Sequence, residues 1–200
     1  MKQNYTKLVF IVDRSGSMAN IASDMSGGLQ SLLEKEKSNN AGECDVSIYE
    51  FDDKYDVVYK NKNIQNIPKY SLQARGSTAL YDAIGKTINS VGKDLSDLKE
   101  QDRPDRVLFV IVTDGHENAS KEFTQQQIKS MIEHQENVYK WTFSYLGANQ
   151  DAFGVANSFG ITQCMVGFIV RKESYSYVKW ETTNMRSTDI FGWFADENRL

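Results

Sequence analysis

The chain has 200 residues, of which 40% are hydrophobic and 25% charged, and this composition is that of a single globular domain rather than a disordered chain. Its 23 Lys and Arg residues stand against 27 Asp and Glu residues, and the net charge of −4 comes without a block of like charge, which excludes a basic nucleic-acid interface. The apolar runs are too short to span a bilayer or to form a signal-peptide core, so we expect a cytoplasmic protein without membrane contact.

Two continuous apolar runs, residues 7–12 and 106–112, are rich in branched and aromatic residues and do not alternate with polar ones. Such runs are typical of strands that are buried on both faces of a parallel sheet. Each run ends in a polar loop that contains glycine. Residues 44–52 and 55–60 are β-rich and separated by two polar residues, which predicts a hairpin with an antiparallel strand at the sheet edge.

Apolar residues at helical spacing predict the helices, and β-rich stretches predict two further strands. The predicted helices include residues 21–33, 80–98, 123–132 (capped by Thr124), 151–159 and 175–185, and the further strands cover 139–146 and 163–170. This order predicts an α/β fold: a three-layer Rossmann-like sandwich whose six-stranded, mostly parallel sheet has one antiparallel edge strand and helices on both faces. We expect residues 1–187 to form this domain and residues 188–200 to form an aromatic tail.

In such folds, ligands bind beyond the carboxyl ends of the strands, where the strand order reverses. Asp13, Ser15 and Ser17 follow the first strand, Asp114 follows the fourth, and Thr78 precedes the long second helix. Two carboxylates that converge at this edge repel each other and lose hydration, and a bound cation relieves both effects. Because the ligand set contains only oxygen, the sequence predicts Mg²⁺ or Mn²⁺, while Ca²⁺ fits less well.

Three motifs resemble the three loops of a von Willebrand factor A (VWA) domain, and the resemblance covers roughly residues 5 to 170. The motifs are Asp13-x-Ser15-x-Ser17, Gly76-Ser77-Thr78-Ala79-Leu80-Tyr81-Asp82 and Thr113-Asp114-Gly115. In that family the loops form the metal-ion-dependent adhesion site (MIDAS). The resemblance implies that Asp13, Ser15, Ser17, Thr78 and Asp114 bind the metal, with one position open for an acidic side chain of a partner protein. The chain most resembles small stand-alone A domains inside bacteria and their phages.

Three neighbours of these ligands, Arg14, Ser77 and Glu117, are the candidate partner-binding residues. Ser77 occupies a position where a second glycine is frequent in relatives. Glu117 lies three residues after Asp114 and is also a candidate to occupy the open metal position itself. The leading hypothesis is therefore a non-enzymatic, metal-dependent protein-binding module.

Other interpretations of the same residues stay open. The Asp13 loop and Thr78 are also typical of helix caps. An open metal position can activate water, so the alternative function is a Mg²⁺- or Mn²⁺-dependent hydrolase or phosphotransferase, with Glu117 or His116 as the general base. Residues 190–194 are strongly aromatic, and the tail is expected either to pack on the domain or to mediate docking or self-association.

Overall fold

The computed structural model describes residues 1–39, 42–114, 117–147, 152–161, 163–172 and 175–183. Strands and helices alternate along most of the chain. The strands are β1 (Lys2–Asp13), β2 (Glu43–Phe51), β3 (Tyr55–Asn63), β4 (Pro104–Thr113), β5 (Thr142–Gly147), β6 (Gln163–Lys172) and β7 (Tyr175–Thr183). The helices are α1 (Ala22–Asn39), α2 (Leu80–Ser96), α3 (Gln125–Tyr139) and α4 (Ala152–Ser158), and short 3₁₀ helices cover Gly16–Asn20, Ile64–Asn66 and Glu100–Asp102.

Across the described residues the strands form one sheet in the order β3-β2-β1-β4-β5-β6-β7. The pairs β1/β2, β1/β4, β4/β5 and β5/β6 are parallel. The predicted neighbourhood of the first and fourth strands is confirmed, because β1 pairs directly with β4 over residues 6–12 and 106–112. Strand order reverses at this pair, so the loops that follow β1 and β4 meet at the same edge of the sheet.

Both faces of the sheet are covered by apolar side chains, as the two continuous runs predicted. Along β1, Val9 and Ile11 pack against α2, α3 and α4, whereas Leu8, Phe10 and Val12 pack on the opposite face against α1. All five of these side chains are at most 2% exposed. Packing on both faces therefore holds the central strands in place, and it fixes the positions at which the loops after β1 and β4 begin.

The predicted α/β fold with a mostly parallel sheet is confirmed, and the predicted hairpin places β3 antiparallel to β2 at one edge. The described residues form seven strands rather than the predicted six, because β7 adds an antiparallel pair with β6 at the other edge. The predicted last helix is wrong, since residues 175–183 form β7. Helical spacing of a few apolar residues misled the prediction, although Tyr, Val, Trp and Thr dominate this segment and favour strands. β7 lies in continuous register with β6 from Lys172↔Tyr175 to Cys164↔Thr183, which stabilises the strand over a helix.

Several smaller predictions are tested by the same structure. Thr124 caps α3, and its hydroxyl and the side chain of Gln127 form a reciprocal capping box. No helix within the described ranges combines the length and apolar character needed to cross a membrane. The aromatic tail, residues 188–200, lies outside the described residues.

The contact between α2 and the segment before α3 generates a stability prediction. A Cβ at Gly85 would lie 2.7 Å from the Phe123 ring, so we expect Gly85→Ala to lower the free energy of unfolding by about 1–3 kcal/mol. Gly27→Ala is the matched control, because Gly27 is also helical and has open space around its Cβ position. We expect Gly27→Ala to raise the free energy of unfolding by about 0.5–1 kcal/mol in urea denaturation. Equal effects of the two substitutions would contradict the packing of Phe123 on α2.

Candidate metal centre

Asp13 ends β1 with its side chain completely buried. One carboxylate oxygen accepts a hydrogen bond from the Ser15 amide at 2.7 Å, and the other accepts one from the Thr113 hydroxyl at 2.5 Å. Burial raises the pKa of Asp13, the hydrogen bonds oppose this shift, and the charge of Asp114 adds to it. The site therefore holds a buried carboxylate whose charge these neighbours compensate only in part.

A row of hydroxyl and carboxylate oxygens runs from the Asp13 loop to the end of β4. The hydroxyls of Ser15 and Ser17 lie 3.0 Å apart. Ser17 then donates a hydrogen bond to the carboxylate of Asp114 at 2.7 Å. Burial raises the pKa of Asp114, although the Ser17 hydrogen bond acts against the shift. The structure thus brings together four of the predicted ligands in one cluster, whose members are Asp13, Ser15, Ser17 and Asp114.

Backbone hydrogen bonds fix the Thr78 loop against the loops that follow β1 and β4. The Gly16 amide donates to the Gly76 carbonyl at 3.0 Å, and the Arg75 amide donates to the Arg14 carbonyl at 2.6 Å. On the other side, the Thr78 amide donates to the Asn118 side chain at 3.0 Å. Thr78 itself is 3% exposed. The fifth predicted ligand is therefore held between the loops that carry the other four.

The capping interpretation of the hydroxyl residues does not describe their contacts. Ser15 precedes the 3₁₀ helix Gly16–Asn20 but makes no side-chain capping hydrogen bond. The residue at the N-cap position of α2 is Ala79 rather than Thr78. The hydroxyl of Ser15 instead faces that of Ser17, as described above.

The first turn of α2 is capped from a distant loop, and this is the role that the structure gives to Glu117. Its carboxylate accepts hydrogen bonds from the amides of Tyr81, Ala119 and Ser120 and from the Ser120 hydroxyl, at 2.7–3.0 Å. In return, the carboxylate of Asp82 accepts the amides of residues 121–123, each at 2.9 Å. Burial opposes ionisation of Asp82, but these amides outweigh it and lower its pKa. Sequence reasoning missed this reciprocal cap because its residues are about 40 positions apart.

Arg14 is buried among acidic residues, with which its guanidinium forms ion pairs. Its guanidinium donates to Asp52 and to Glu50, each at 3.0 Å, and pairs with Asp56. The side chain is only 7% exposed. Its role is therefore to fasten the loop after β1 to the hairpin of β2 and β3. Ser77, in contrast, is exposed beside Thr78.

Asp52 connects three loops around the site, and nothing in the sequence singled it out. Its carboxylate accepts hydrogen bonds from Arg14 at 3.0 Å, from Arg75 at 2.8 Å and from the Lys54 amide at 2.6 Å. Its carbonyl accepts the Ala79 amide at 2.9 Å. Burial opposes ionisation, but Arg75, the Lys54 amide and Arg14 together lower the pKa of Asp52. The only sequence signal was the polar turn between two strands.

Gly115 and His116, the latter a candidate general base, lie outside the described residues. Among the residues that are described, no group of three or more His, Cys, Asp and Glu side chains could hold a metal. The candidate centre instead consists of two carboxylates and three hydroxyls, a donor set suited to hard cations.

No protein-family model and no curated protein sequence matches the chain. Solved structures do match it. A von Willebrand factor type A protein from Catenulispora acidiphila is similar over 84% of this chain, with a TM-score of 0.53 and 14% identity. The manganese-loaded TRAP protein of Plasmodium vivax is similar over 78% of the chain, with a TM-score of 0.56 and 14% identity. The chain has the von Willebrand factor A fold.

A third VWA-fold structure is proximal thread matrix protein 1 from the mussel byssus, with a zinc-occupied MIDAS motif. It is similar over 82% of this chain, with a TM-score of 0.53 and 15% identity. The chain spans 39% of the Catenulispora protein, 64% of the Plasmodium protein and 41% of the mussel protein. At these identities the likeness shows the VWA fold alone.

The ion pairs of Arg14 generate a second stability prediction. Arg14→Met removes the cation that pairs with the half-buried Glu50 and leaves the buried Asp52 with Arg75 alone, so we expect the free energy of unfolding to fall by about 3 kcal/mol. Lys93→Ala removes an exposed pair with Asp97 and should leave the free energy of unfolding nearly unchanged. Urea denaturation at pH 7 measures both. A loss in Arg14→Met no larger than in Lys93→Ala would show that the buried pairs do not fasten the loop.

Proposed function

We propose that the chain is a non-enzymatic, metal-dependent protein-binding module. A divalent cation at the carboxyl ends of β1 and β4 would link the module to an acidic side chain of a partner protein. The observation that carries this proposal is the row of oxygens from Ser15 through Ser17 to Asp114, next to the buried carboxylate of Asp13.

The residues present fit Mg²⁺ or Mn²⁺. Every donor is an oxygen, and hydroxyl protons rotate, so the lone pairs of Ser15 and Ser17 can turn toward a cation. Burial raises the pKa of both Asp13 and Asp114, which means that the metal-free site disfavours their charges. A divalent cation removes that penalty. Two carboxylates and three hydroxyls leave room for water, which Mg²⁺ tends to retain and a Ca²⁺ cage does not.

The five proposed ligands differ in solvent exposure, and we expect them to contact different sides of the ion. Asp13, Ser15 and Thr78 are at most 3% exposed, so they would hold the inner side of the ion. Ser17 is exposed and Asp114 is half-buried, which leaves the outer side open to solvent. When bound, the ion supplies a positive charge with an incomplete coordination shell, and such a charge attracts a carboxylate. A partner's Asp or Glu would approach from the side of Ser17.

We assign different roles to the three candidate partner-binding residues. Ser77 is exposed next to Thr78, and it remains a proposed partner contact. Arg14 forms ion pairs with Glu50, Asp52 and Asp56, and we propose that it stabilises the loop after β1. Glu117 has its carboxylate engaged by four hydrogen bonds at the start of α2, so the open metal position is left for the partner.

Two of the similar structures support the choice of a divalent ion. The Plasmodium vivax TRAP protein is manganese-loaded, and the mussel protein has a zinc-occupied MIDAS motif. The hydrolase alternative requires a general base, and Glu117 is a poor one because its lone pairs already accept hydrogen bonds from three amides and a hydroxyl. We therefore favour binding over catalysis.

Removing the charge of Asp13 should separate metal binding from folding. Because the folded protein raises the pKa of Asp13, ionising this group at neutral pH costs stability in the absence of metal. We expect metal-free Asp13→Asn to melt at or above the temperature of metal-free wild type. Saturating Mg²⁺ should raise the melting temperature of wild type by about 5–10 °C and leave Asp13→Asn unchanged.

Asp53→Asn provides the matched control, because Asp53 is an exposed acid in the neighbouring β2–β3 turn. It should show the full shift with Mg²⁺. Calorimetry after chelation, followed by titration with Mg²⁺, measures all three proteins. The same Mg²⁺-induced shift in Asp13→Asn and wild type would contradict the assigned site.

Partner binding should depend on metal and on the opening near Ser17. In affinity capture from the native cell, we expect proteins that are retained with Mg²⁺ to be lost with EDTA and with the Asp114→Ala variant. Ser77→Ala should keep its Mg²⁺-induced thermal shift but retain less partner. A captured partner should lose binding when one of its own Asp or Glu residues is changed to Asn or Gln. Retention that is equal in EDTA and Mg²⁺ would reject the proposal.

A further inference from the structure

A groove of about 480 Å³ lies at the end of the sheet opposite the metal centre. It runs between the C-terminal halves of α2 and α3, where β4 and β5 begin. Its apolar lining comes from Ile88 and Leu95 of α2, Val107 of β4, Tyr139 of α3 and Trp141 before β5. None of the residues assigned to the metal centre contributes to it, so any role of this groove is separate from the proposed metal-dependent binding.

Large apolar side chains are exposed around this groove. Tyr139 lines it and is 59% exposed, and its neighbour Val138 is 55% exposed. Leu98, between the lining residues Ser96 and Glu100, is 39% exposed. A single exposed apolar residue is ordinary, whereas a cluster beside a groove is typical of a binding surface.

Charged side chains at the rim define what kind of segment would fit. Arg103 donates hydrogen bonds to the carbonyls of Leu98 at 3.1 Å and Ser96 at 3.2 Å, and no carboxylate among the described residues forms an ion pair with it. Glu100 lines the same rim. The groove therefore suits a segment with aromatic side chains, a carboxylate to pair with Arg103 and a cation to pair with Glu100.

We propose that this groove is the docking site of residues 188–200 of the same chain. These residues lie outside the described part of the structure, and the proposal rests on their sequence and on the groove. Residues 190–194, Ile-Phe-Gly-Trp-Phe, supply the aromatic side chains. Asp196 and Glu197 then supply carboxylates for Arg103, and Arg199 supplies a cation for Glu100.

The segment that follows β7 is long enough to bring residues 190–200 to the groove. Thr183, at the end of β7, pairs with Cys164, which pairs with Tyr145 in β5. Because β7 is antiparallel to β6, the chain leaves it toward the end of the sheet where β4 and β5 begin. From Thr183, Trp141 is displaced by two strand spacings across the sheet, about 10 Å, and by four residues along β5, about 13 Å. Residues 184–190 can span about 23 Å, which is enough to reach the groove.

Site-specific photocrosslinking in the full chain tests the proposal. A benzophenone amino acid replaces Trp193, and a mixture of ¹⁵N-labelled and unlabelled chains distinguishes crosslinks within one chain from crosslinks between chains. We expect crosslinks within one chain to peptides that contain residues 88–96 or 134–141. The same amino acid at Val57, an exposed apolar position on β3, is the control and should not label the groove.

Charge variants test the same contact from both sides. Asp196→Asn combined with Glu197→Gln should lower the crosslink yield about fivefold, and Arg103→Gln should do the same. Arg103→Lys should restore most of the yield, because it keeps the charge. Crosslinks to another face of the domain, crosslinks between chains, or an unchanged yield in the charge variants would each overturn intramolecular docking in this groove.

Discussion

The burial of the Asp13 carboxylate at the end of β1 is the constraint on which the candidate metal centre depends. Three acidic side chains near this edge of the sheet are deeply buried, and two of them are well compensated. Asp52 accepts hydrogen bonds from Arg14 and Arg75, and Asp82 accepts those of three backbone amides, so both have lowered pKa values despite burial. Asp13 has a raised pKa, as does its half-buried neighbour Asp114. The carboxylates that lack a compensating positive charge, Asp13 and Asp114, are thus the two beside the hydroxyls of Ser15 and Ser17.

Hydrogen bonds and ion pairs within the chain hold the loops that carry the five oxygens. The Gly16 amide donates to the Gly76 carbonyl, and the ion pairs of Asp52 join both loops to the β2–β3 turn. Gly76 has a φ of +73°, and a Cβ there would lie 2.5 Å from a carboxylate oxygen of Asp53. Only glycine satisfies both conditions. A cation entering such a site would require little rearrangement of the backbone, which favours affinity.

The central strands of the sheet and the loops of the candidate site could be predicted from the sequence, since both depend on local patterns. Continuous apolar runs identified β1 and β4, and the pairing of these strands determined which loops meet. The roles of Arg14 and Glu117 could not be predicted in this way. Arg14 lies between two proposed ligands and resembles a surface residue, but its guanidinium reaches acids in β2 and β3. Glu117 caps a helix more than 30 residues before it in the chain.

β7 was missed for a different reason. Tyr175, Val178 and Thr182 have helical spacing, but Tyr, Val, Trp and Thr dominate this segment and favour a strand, and the segment pairs with β6 directly before it. The helical spacing of three residues was therefore a weaker guide to this segment than its composition.

Anomalous diffraction from a crystal of the protein soaked in Mn²⁺ tests whether this cluster binds a metal. We expect one strong manganese peak in direct contact with the hydroxyls of Ser15 and Ser17, with a coordination position facing solvent on the Ser17 side. A manganese peak at another place on the domain, or none between the loops after β1 and β4, would contradict the assignment of this cluster as a metal centre.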